Sequence, residues 1–190
     1  MYKFFAFLNR MKYIRRWGLM RSTREENIQE HSLQTAMIAH MLALIGNKLY
    51  NKNYNADSIA VKAMYHEASE ILTGDLPTPI KYYNEEIRAS YKNIESIATA
   101  QLIEMLPCEL KEDYAPILSP DDEQENIIIK AADKICAYLK CVEEVNAGNK
   151  EFTDALEALE TNIKAYQLDE VQYFINNFIG AFDLTLDKLK

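Results

Sequence analysis

The chain has 190 residues, of which 48% are hydrophobic and 26% charged, the size and balance of one globular domain with a single core. Its net charge of −8 argues against binding a nucleic acid polymer, because affinity for a polyanion depends on neutralising phosphates with Lys and Arg. Five Gly and five Pro argue against a β-sandwich and a long disordered tail, and the lack of a long apolar run predicts no membrane span. We therefore predict one domain over residues 1–190.

Apolar residues recur at helical spacing along nearly the whole chain, without sustained period-two alternation. Gly74 is placed to end the third helix, and Pro77 and Pro79 predict a stiff loop over residues 74–79 because proline cannot join helical hydrogen bonding. Ser119 and Pro120 form a helix start signal. The predicted fold is all-α, with helices over residues 2–14, 30–50, 57–72, 84–106, 120–146, 151–166 and 168–188.

The charge is unevenly distributed along the chain. Residues 1–24 carry seven basic residues and no acid, and the remainder carries 14 bases and 29 acids. A basic segment on an acidic body suits a small anionic ligand, although a solvated basic helix is an equally good interpretation. The three cysteines, Cys108, Cys136 and Cys141, form no CxxC pair and indicate a reducing, cytoplasmic location, with Cys136 and Cys141 in the core.

The helix predicted over residues 30–50 is apolar on nearly all sides and should be buried. His31 and His40, nine residues apart, point in opposite directions on it and cannot share a site. A lone buried histidine is more often a hydrogen-bonded core residue than a ligand. We therefore interpret His40 as a core residue.

Ionisable residues cluster near the end of the predicted third helix. His66 and Glu70 are four residues apart on one helix face, and Glu67 is rotated by about 100° from His66. Surface acids on an amphipathic helix would explain Glu70 alone. The same interpretation explains less well why three ionisable residues, His66, Glu67 and Glu70, lie directly before a loop that carries Asp75.

Asp133 lies within a strongly apolar helical stretch, where an unpaired carboxylate would be costly to bury. Lys130, three residues earlier, could supply a cation within the same helix. The sharper interpretation is a metal ion held by His31, His66 and carboxylates from different helices, a mixed nitrogen and oxygen site suited to a divalent transition metal.

His31, the His66-Glu67 pair and Asp133 resemble the signature of HD-superfamily phosphohydrolases. The flanking sequence is more specific. Arg16-Trp17, EHSLQ at 30–34, YHEASE at 65–70, LTGDLPTP at 72–79 and AYLKC at 137–141 together look like the bacterial HD-domain 5′-deoxynucleotidases. The resemblance extends over essentially the whole chain with every motif in order.

The resemblance implies a compact multi-helix HD-type domain that hydrolyses nucleoside 5′-monophosphates, preferring deoxyribonucleotides, to nucleoside and phosphate as a homodimer. It implies one divalent metal ion: cobalt, manganese or copper is expected ahead of zinc, iron or magnesium. The implied metal ligands are His31, His66, Glu67 and Asp133, and Glu70 and Asp75 are the catalytic candidates. The implied substrate contacts are Arg16, Trp17, Glu67, Asp133 and the pocket loop of Asp75, Leu76, Pro77 and Thr78.

One residue departs from the family pattern, because Glu67 stands where the HD pair has Asp. An alternative is therefore a degenerate HD protein that binds nucleotide with little turnover, in which Glu67→Asp should raise metal affinity and activity. If the helices have adjusted to Glu, the same change should lower both. A third interpretation is a helical interaction module without a site, whose thermal stability would not respond to chelators.

Overall fold

The computed structural model describes residues 1–81 and 83–190, which form helices and connecting turns without a β-strand. The all-α fold class is therefore confirmed. None of the helices in these two ranges has the length and hydrophobicity needed to cross a membrane. The helices are α1 (Phe4–Leu8), α2 (Ile28–Leu49), α3 (Ala56–Met64), α4 (Glu70–Thr73), α5 (Thr78–Lys81), α6 (Glu85–Glu104), α7 (Cys108–Leu118), α8 (Glu123–Asn146), α9 (Thr153–Lys164) and α10 (Asp169–Phe178).

Two long helices, α2 and α8, form the centre of the fold. α2 packs against α3, α8 and α10, and α8 also packs against α9. Leu42, Ile128 and Ile135 are fully buried between them, and burial of one such side chain stabilises the fold by about 1.5–3 kcal/mol. Cys136 and Cys141 are buried free thiols in this core, as predicted.

Polar side chains determine where the helices begin. Asn27 accepts hydrogen bonds from the first-turn amides of α2, and Asn84 does so for α6. Asp122 caps α8 through bonds from two backbone amides, so the prediction of a cap at Ser119 followed by Pro120 is wrong. The carboxylate of Asp122 is an equally good cap and lies directly before the first helical residue.

The first predicted helix is shorter than expected. α1 ends at Leu8, and a 3-10 turn over Met11–Tyr13 follows it. Phe4, Leu8 and Met11 are all buried in a second cluster, packed with residues of α2 and α6. A four-residue and then a three-residue spacing suits one long helix as well as a short helix plus a turn, so periodicity could not separate them.

Proline lies within helical structure at two places where the sequence predicts no helix. Thr78–Lys81 forms a helical turn, which Pro79 permits because the first turn of a helix has no hydrogen bond for it to remove. α7 lies where the sequence predicts no helix; Pro107 is its N-cap residue and Pro116 lies inside it. Its Tyr114 ring packs edge-on against aromatic rings of α1 and of the turn after α3, at 5.2 and 6.0 Å between centroids.

Two further expectations need correction. The last helix stops at Phe178 instead of 188 and continues as a 3-10 turn over Ile179–Asp183, which contains Gly180, a poor helix former. The His40 side chain is 39% exposed, with Nε2 at 3.5 Å from Asp57 Oδ1. His40 is therefore outside the core, although it does face away from His31 as predicted.

A buried ion pair holds the segment before α2 against the end of α8. Glu144 is 1% exposed and accepts hydrogen bonds from Thr23 N and Oγ1, both at 2.8 Å, from Arg24 N at 3.2 Å and from Asn149 Nδ2 at 2.8 Å. Lys140 Nζ completes the set at 2.5 Å. Burial raises the pKa of Glu144, but the hydrogen bonds from Lys140 and Thr23 outweigh it and hold the pKa below its ordinary value.

Replacing Glu144 by Gln should lower the free energy of unfolding by about 3–5 kcal/mol, because it leaves Lys140 charged and buried without a counter-ion. The folded-state pKa of Glu144 lies below the unfolded one, so its stabilisation is complete above about pH 4.3 and is lost as the pH falls further. Denaturant unfolding measured at several pH values around 4.3 should show this pH-dependent part of the stability in the wild-type protein and not in Glu144→Gln. The exposed neighbour gives the control Glu143→Gln, and equal stability of the two variants would contradict the prediction.

Candidate metal centre and active site

The segment between α3 and α4 brings His66 and Glu67 to the same place. α3 ends at Met64, and residues 65–69 form tight turns, with Glu70 N donating to Glu67 O at 3.0 Å. The predicted continuous helix to residue 72 is therefore wrong, and so is the angular separation that it implied. In the structure His66 Nε2 lies 3.3 Å from Glu67 Oε1.

The His66 ring is held in a defined orientation. Its Nδ1 donates to Ala63 O at 2.7 Å, because a carbonyl can only accept, so in the neutral ring the lone pair lies on Nε2. In an uninterrupted helix Ala63 O would accept from the amide of Glu67, so the ring takes a partner that a continuing helix needs. Nε2 is buried and makes no hydrogen bond to residues 1–81 or 83–190, which is the state expected of a metal ligand.

Four side chains converge here from α2, α8 and the turn after α3. His31, His66, Glu67 and Asp133 each offer a ligand atom, and these atoms lie within 4.8 Å of one another. His31 Nε2 is 3.0 Å from Asp133 Oδ1, and the two imidazole rings are 5.3 Å apart between centroids. The structure thus brings together all four residues predicted as ligands, and the donor set fits a divalent metal ion.

The lysine that pairs with Asp133 is Lys134, not Lys130 as the sequence suggested. Lys134 Nζ lies 3.2 Å from Asp133 Oδ2, and His31 contacts the other oxygen. An intrahelical pair with Lys130 is therefore not what the structure has. The Asp133 carboxylate faces His31 and the cluster.

The electrostatics keep both carboxylates of the cluster ionised. Burial raises the pKa of Asp133, but the hydrogen bond from His31 and the charge of Lys134 outweigh it and lower the pKa well below its ordinary value. Burial also raises the pKa of Glu67, but the nearby charge of His66 outweighs burial and lowers the pKa below its ordinary value. Ionised carboxylates are the forms that bind metal.

Glu70 lies beside this cluster and is not one of the four. It begins α4, is 3% exposed, and its Oε2 makes no hydrogen bond within the part of the chain that the structure describes. Burial and the negative charges of Glu67 and Asp75 raise the pKa of Glu70 to about 10. A buried carboxyl without a partner is costly, so a proton, a water or a ligand is needed there.

Arg16 and Trp17 share one partner, Glu26, that sequence reasoning missed. Glu26 Oε2 accepts from Arg16 Nε at 2.9 Å and from Trp17 Nε1 at 3.0 Å. Arg16 Nη1 is also 3.6 Å from Glu67 Oε1, which places the guanidinium beside the cluster. Trp17 packs its ring on Phe152, at 5.3 Å between centroids. Nothing in the local sequence distinguishes Glu26 from the acids that often precede a helix.

The loop after α4 places Asp75 near the same charges. Gly74 closes α4 with φ of +74°, a conformation that favours glycine, and its amide donates to Glu70 O at 2.8 Å. Burial raises the pKa of Asp75 above its ordinary value, and the opposing charge of Arg16 does not offset this. Leu76 and Pro77 are half-buried beyond Asp75, and Thr78 is exposed.

Solved structures define the class of this fold. The chain is similar to an HD-domain phosphohydrolase from Listeria innocua with a TM-score of 0.83 and 24% identity, covering 95% of this chain and 88% of that chain. It is also similar to a cyanophage S-2L HD phosphohydrolase, solved with dA and one catalytic Zn²⁺, with a TM-score of 0.66 and 20% identity over 95% and 96% of the two chains. The fold is that of the HD phosphohydrolases.

The sequence places the chain more narrowly. Residues 3–182 match the family described as 5′-deoxynucleotidase YfbR-like. The chain is 54% identical over 188 residues to a 5′-deoxynucleotidase of Photorhabdus temperata, covering 98% of this chain and 95% of that protein. It is 52% identical to one of Photobacterium profundum, covering 98% and 97%. This chain belongs to the YfbR-like 5′-deoxynucleotidase family, which confirms the resemblance inferred from its motifs.

Proposed function

We propose that this protein hydrolyses deoxyribonucleoside 5′-monophosphates to nucleoside and phosphate, with one divalent metal ion. The observation that carries the proposal is the convergence of His31, His66, Glu67 and Asp133 within 4.8 Å, in a member of a 5′-deoxynucleotidase family. These four residues would hold the metal. A divalent ion bound there would lower the pKa of a water and neutralise charge on a phosphate oxygen.

The protein's own groups supply the remaining functions. The forked guanidinium of Arg16 binds the doubly anionic phosphate, for which Lys would be a poorer match. Glu70, outside the ligand set and adjacent to it, orients the attacking water or passes a proton to the leaving 5′-oxygen, and Asp75 shares this task. The geometry supports this division because Arg16 reaches the cluster while the Glu70 carboxyl is buried beside it with an unpartnered oxygen.

Trp17 and the loop after α4 provide the rest of the substrate pocket. Trp17 contacts the sugar or base, and Asp75, Leu76, Pro77 and Thr78 close over the nucleotide, with Glu67 and Asp133 facing the phosphate. The half-buried positions of Trp17, Asp75, Leu76 and Pro77 are consistent with a pocket lining.

The decisive experiment is a phosphate-release screen of all ribo- and deoxyribonucleoside 5′- and 3′-monophosphates with cobalt, manganese, copper, zinc, iron and magnesium in turn. We expect faster release from the deoxyribonucleoside 5′-monophosphates, and most activity with cobalt, manganese or copper. Equal rates for both sugars would remove the narrow assignment. No release from any substrate with any metal would leave the degenerate HD protein as the better interpretation.

The position of Glu67 bears on whether this is an active site adapted to Glu or the site of a degenerate HD protein. Its Oε1 already lies with the other ligand atoms, 3.3 Å from His66 Nε2 and 3.6 Å from Arg16 Nη1. The longer side chain reaches the cluster from the turn that follows α3. This position favours a site built around Glu over an impaired copy of an Asp site.

We therefore expect Glu67→Asp to weaken metal binding and to lower kcat, because a shorter side chain withdraws a ligand oxygen. A displacement of about 1 Å can cost about 10²-fold in rate. Metal titration and single-substrate kinetics on both proteins measure the effect. A rise in both metal affinity and kcat would instead support the interpretation as a degenerate HD protein.

The homodimer, the cytoplasmic location and the single-domain boundaries of 1–190 stay predictions. Light scattering coupled to gel filtration, with and without metal, measures the first. A monomer at micromolar concentrations under both conditions would contradict it.

A further inference from the structure

One carboxylate oxygen organises both of the side chains proposed to bind nucleotide. Glu26 Oε2 accepts from Arg16 Nε at 2.9 Å and from Trp17 Nε1 at 3.0 Å, and the Arg16 and Glu26 side chains are only 12% and 11% exposed. Hydrogen bonds to an ionised acceptor are stronger than neutral ones, and they are stronger still away from water. Glu26 is therefore a common anchor for a guanidinium and an indole.

The backbone around Glu26 reinforces this arrangement. Arg16 N donates to Glu26 O at 2.9 Å, and Ile28 N donates to Ile14 O at 3.0 Å, so the two ends of the loop are paired. Trp17 has φ of +59°, in the left-handed region that non-glycine residues rarely adopt and keep only when their surroundings hold them there. The hydrogen bond from the indole to Glu26 and its contact with Phe152 fix the side chain and so stabilise this backbone conformation of Trp17.

Glu26 also controls where the Arg16 charge is directed. The guanidinium lies between Glu26 on one side and Glu67, 3.6 Å from Nη1, on the other. Without Glu26, the carboxylates that still act on Arg16 are Asp133, Glu67 and Asp75, so the guanidinium would turn toward the metal cluster and its loop. An arginine turned in that way would no longer face the phosphate.

We propose that Glu26 is a positioning residue for nucleotide recognition: it fixes Arg16 and Trp17 in their binding geometry without touching the reacting atoms. The nature of the nucleotide rests on the proposed function above, whereas the positioning of the two side chains does not. Glu26→Gln should raise KM for deoxyadenosine 5′-monophosphate by about 10- to 100-fold, the usual effect of losing a charge-assisted hydrogen bond, with little change in kcat.

The protein offers a spectroscopic readout and a matched control. Trp17 is its only tryptophan, so intrinsic fluorescence reports on the indole that bonds to Glu26. The adjacent Glu25 forms an exposed ion pair with Arg15, with side chains 66% and 68% exposed, so Glu25→Gln removes the same charge one residue away. We expect the emission maximum of Glu26→Gln to move to longer wavelength as the indole loosens, and that of Glu25→Gln to stay unchanged.

A double variant tests whether Glu26 acts through Trp17 and Arg16. Trp17→Phe keeps an aromatic ring without the N–H, and Arg16→Ala removes the guanidinium. In a protein carrying both changes, adding Glu26→Gln should alter deoxyadenosine 5′-monophosphate affinity by less than about threefold, since coupled residues are not additive. Circular dichroism and metal content should match the parent protein.

Three results would overturn the proposal. The first is unchanged Trp17 emission and KM in Glu26→Gln, and the second is a full additional loss of affinity in the double-variant background. Loss of fold in Glu26→Gln would also count against a positioning role, because Glu26 would then be a general structural residue. If the wild-type protein released no phosphate from any nucleotide, the proposed function would fail. Emission and equilibrium binding of deoxyadenosine 5′-monophosphate would still decide the role of Glu26.

Discussion

Glu70→Gln is expected to lower kcat by about 10²–10⁴-fold, the usual cost of removing one proton-transfer group, with metal content unchanged and KM changed little. The physical reason is position. Glu70 is 3% exposed at the start of α4, beside Glu67 and outside the four converging ligand atoms. Gln has nearly the same shape, so the fold and the metal site should tolerate it, but it cannot transfer a proton.

Steady-state kinetics and elemental analysis of the same preparation test this expectation. Glu85→Gln is the matched control, because the Glu85 side chain is 90% exposed on α6. Loss of the metal from Glu70→Gln would show that Glu70 is a ligand. A kcat within threefold of wild type would transfer the acid/base role to Asp75.

The second large effect is expected from the metal ligands. The purified protein should bind about one divalent ion per chain, and His31→Ala or Asp133→Asn should reduce this to near zero, with loss of measurable turnover. His31 is fully buried and contacts Asp133 at 3.0 Å, so His31→Ala removes one of the four converging donors and Asp133→Asn replaces a carboxylate by a neutral amide that binds metal less well. Elemental analysis measures metal content. Thermal unfolding with added metal measures binding independently of activity, because a ligand that binds only the folded state raises Tm.

His40→Ala provides the control from the same helix. The His40 side chain is 39% exposed and lies near Asp57, on the side of α2 away from His31. The His40→Ala variant should have unchanged metal content and turnover. Unchanged metal content in both His31→Ala and Asp133→Asn would refute the proposed site, and an absent response of Tm to chelators in the wild-type protein would support the interaction-module reading.

Several features of this protein were determined by the sequence alone. α2 and α8 are long and rich in apolar residues at helical spacing, so their existence follows from the sequence, and the burial of α2 follows because it is apolar on nearly all sides. His31 and Asp133 stood out because an ionisable group in an apolar helix needs a partner. The motifs around them identified the family, which the comparisons confirm.

Only the tertiary structure decided how these groups meet. The helix breaks after Met64 and the His66 ring takes Ala63 O as its partner, neither of which helical periodicity encodes. Glu26 became visible only once the chain folded back on Arg16 and Trp17, and its neighbours look like ordinary acids before a helix. Periodicity specifies which face of a helix is apolar. Contacts between residues far apart in sequence depend on which faces pack together, and those contacts decide where a helix stops and which carboxylate pairs with which cation.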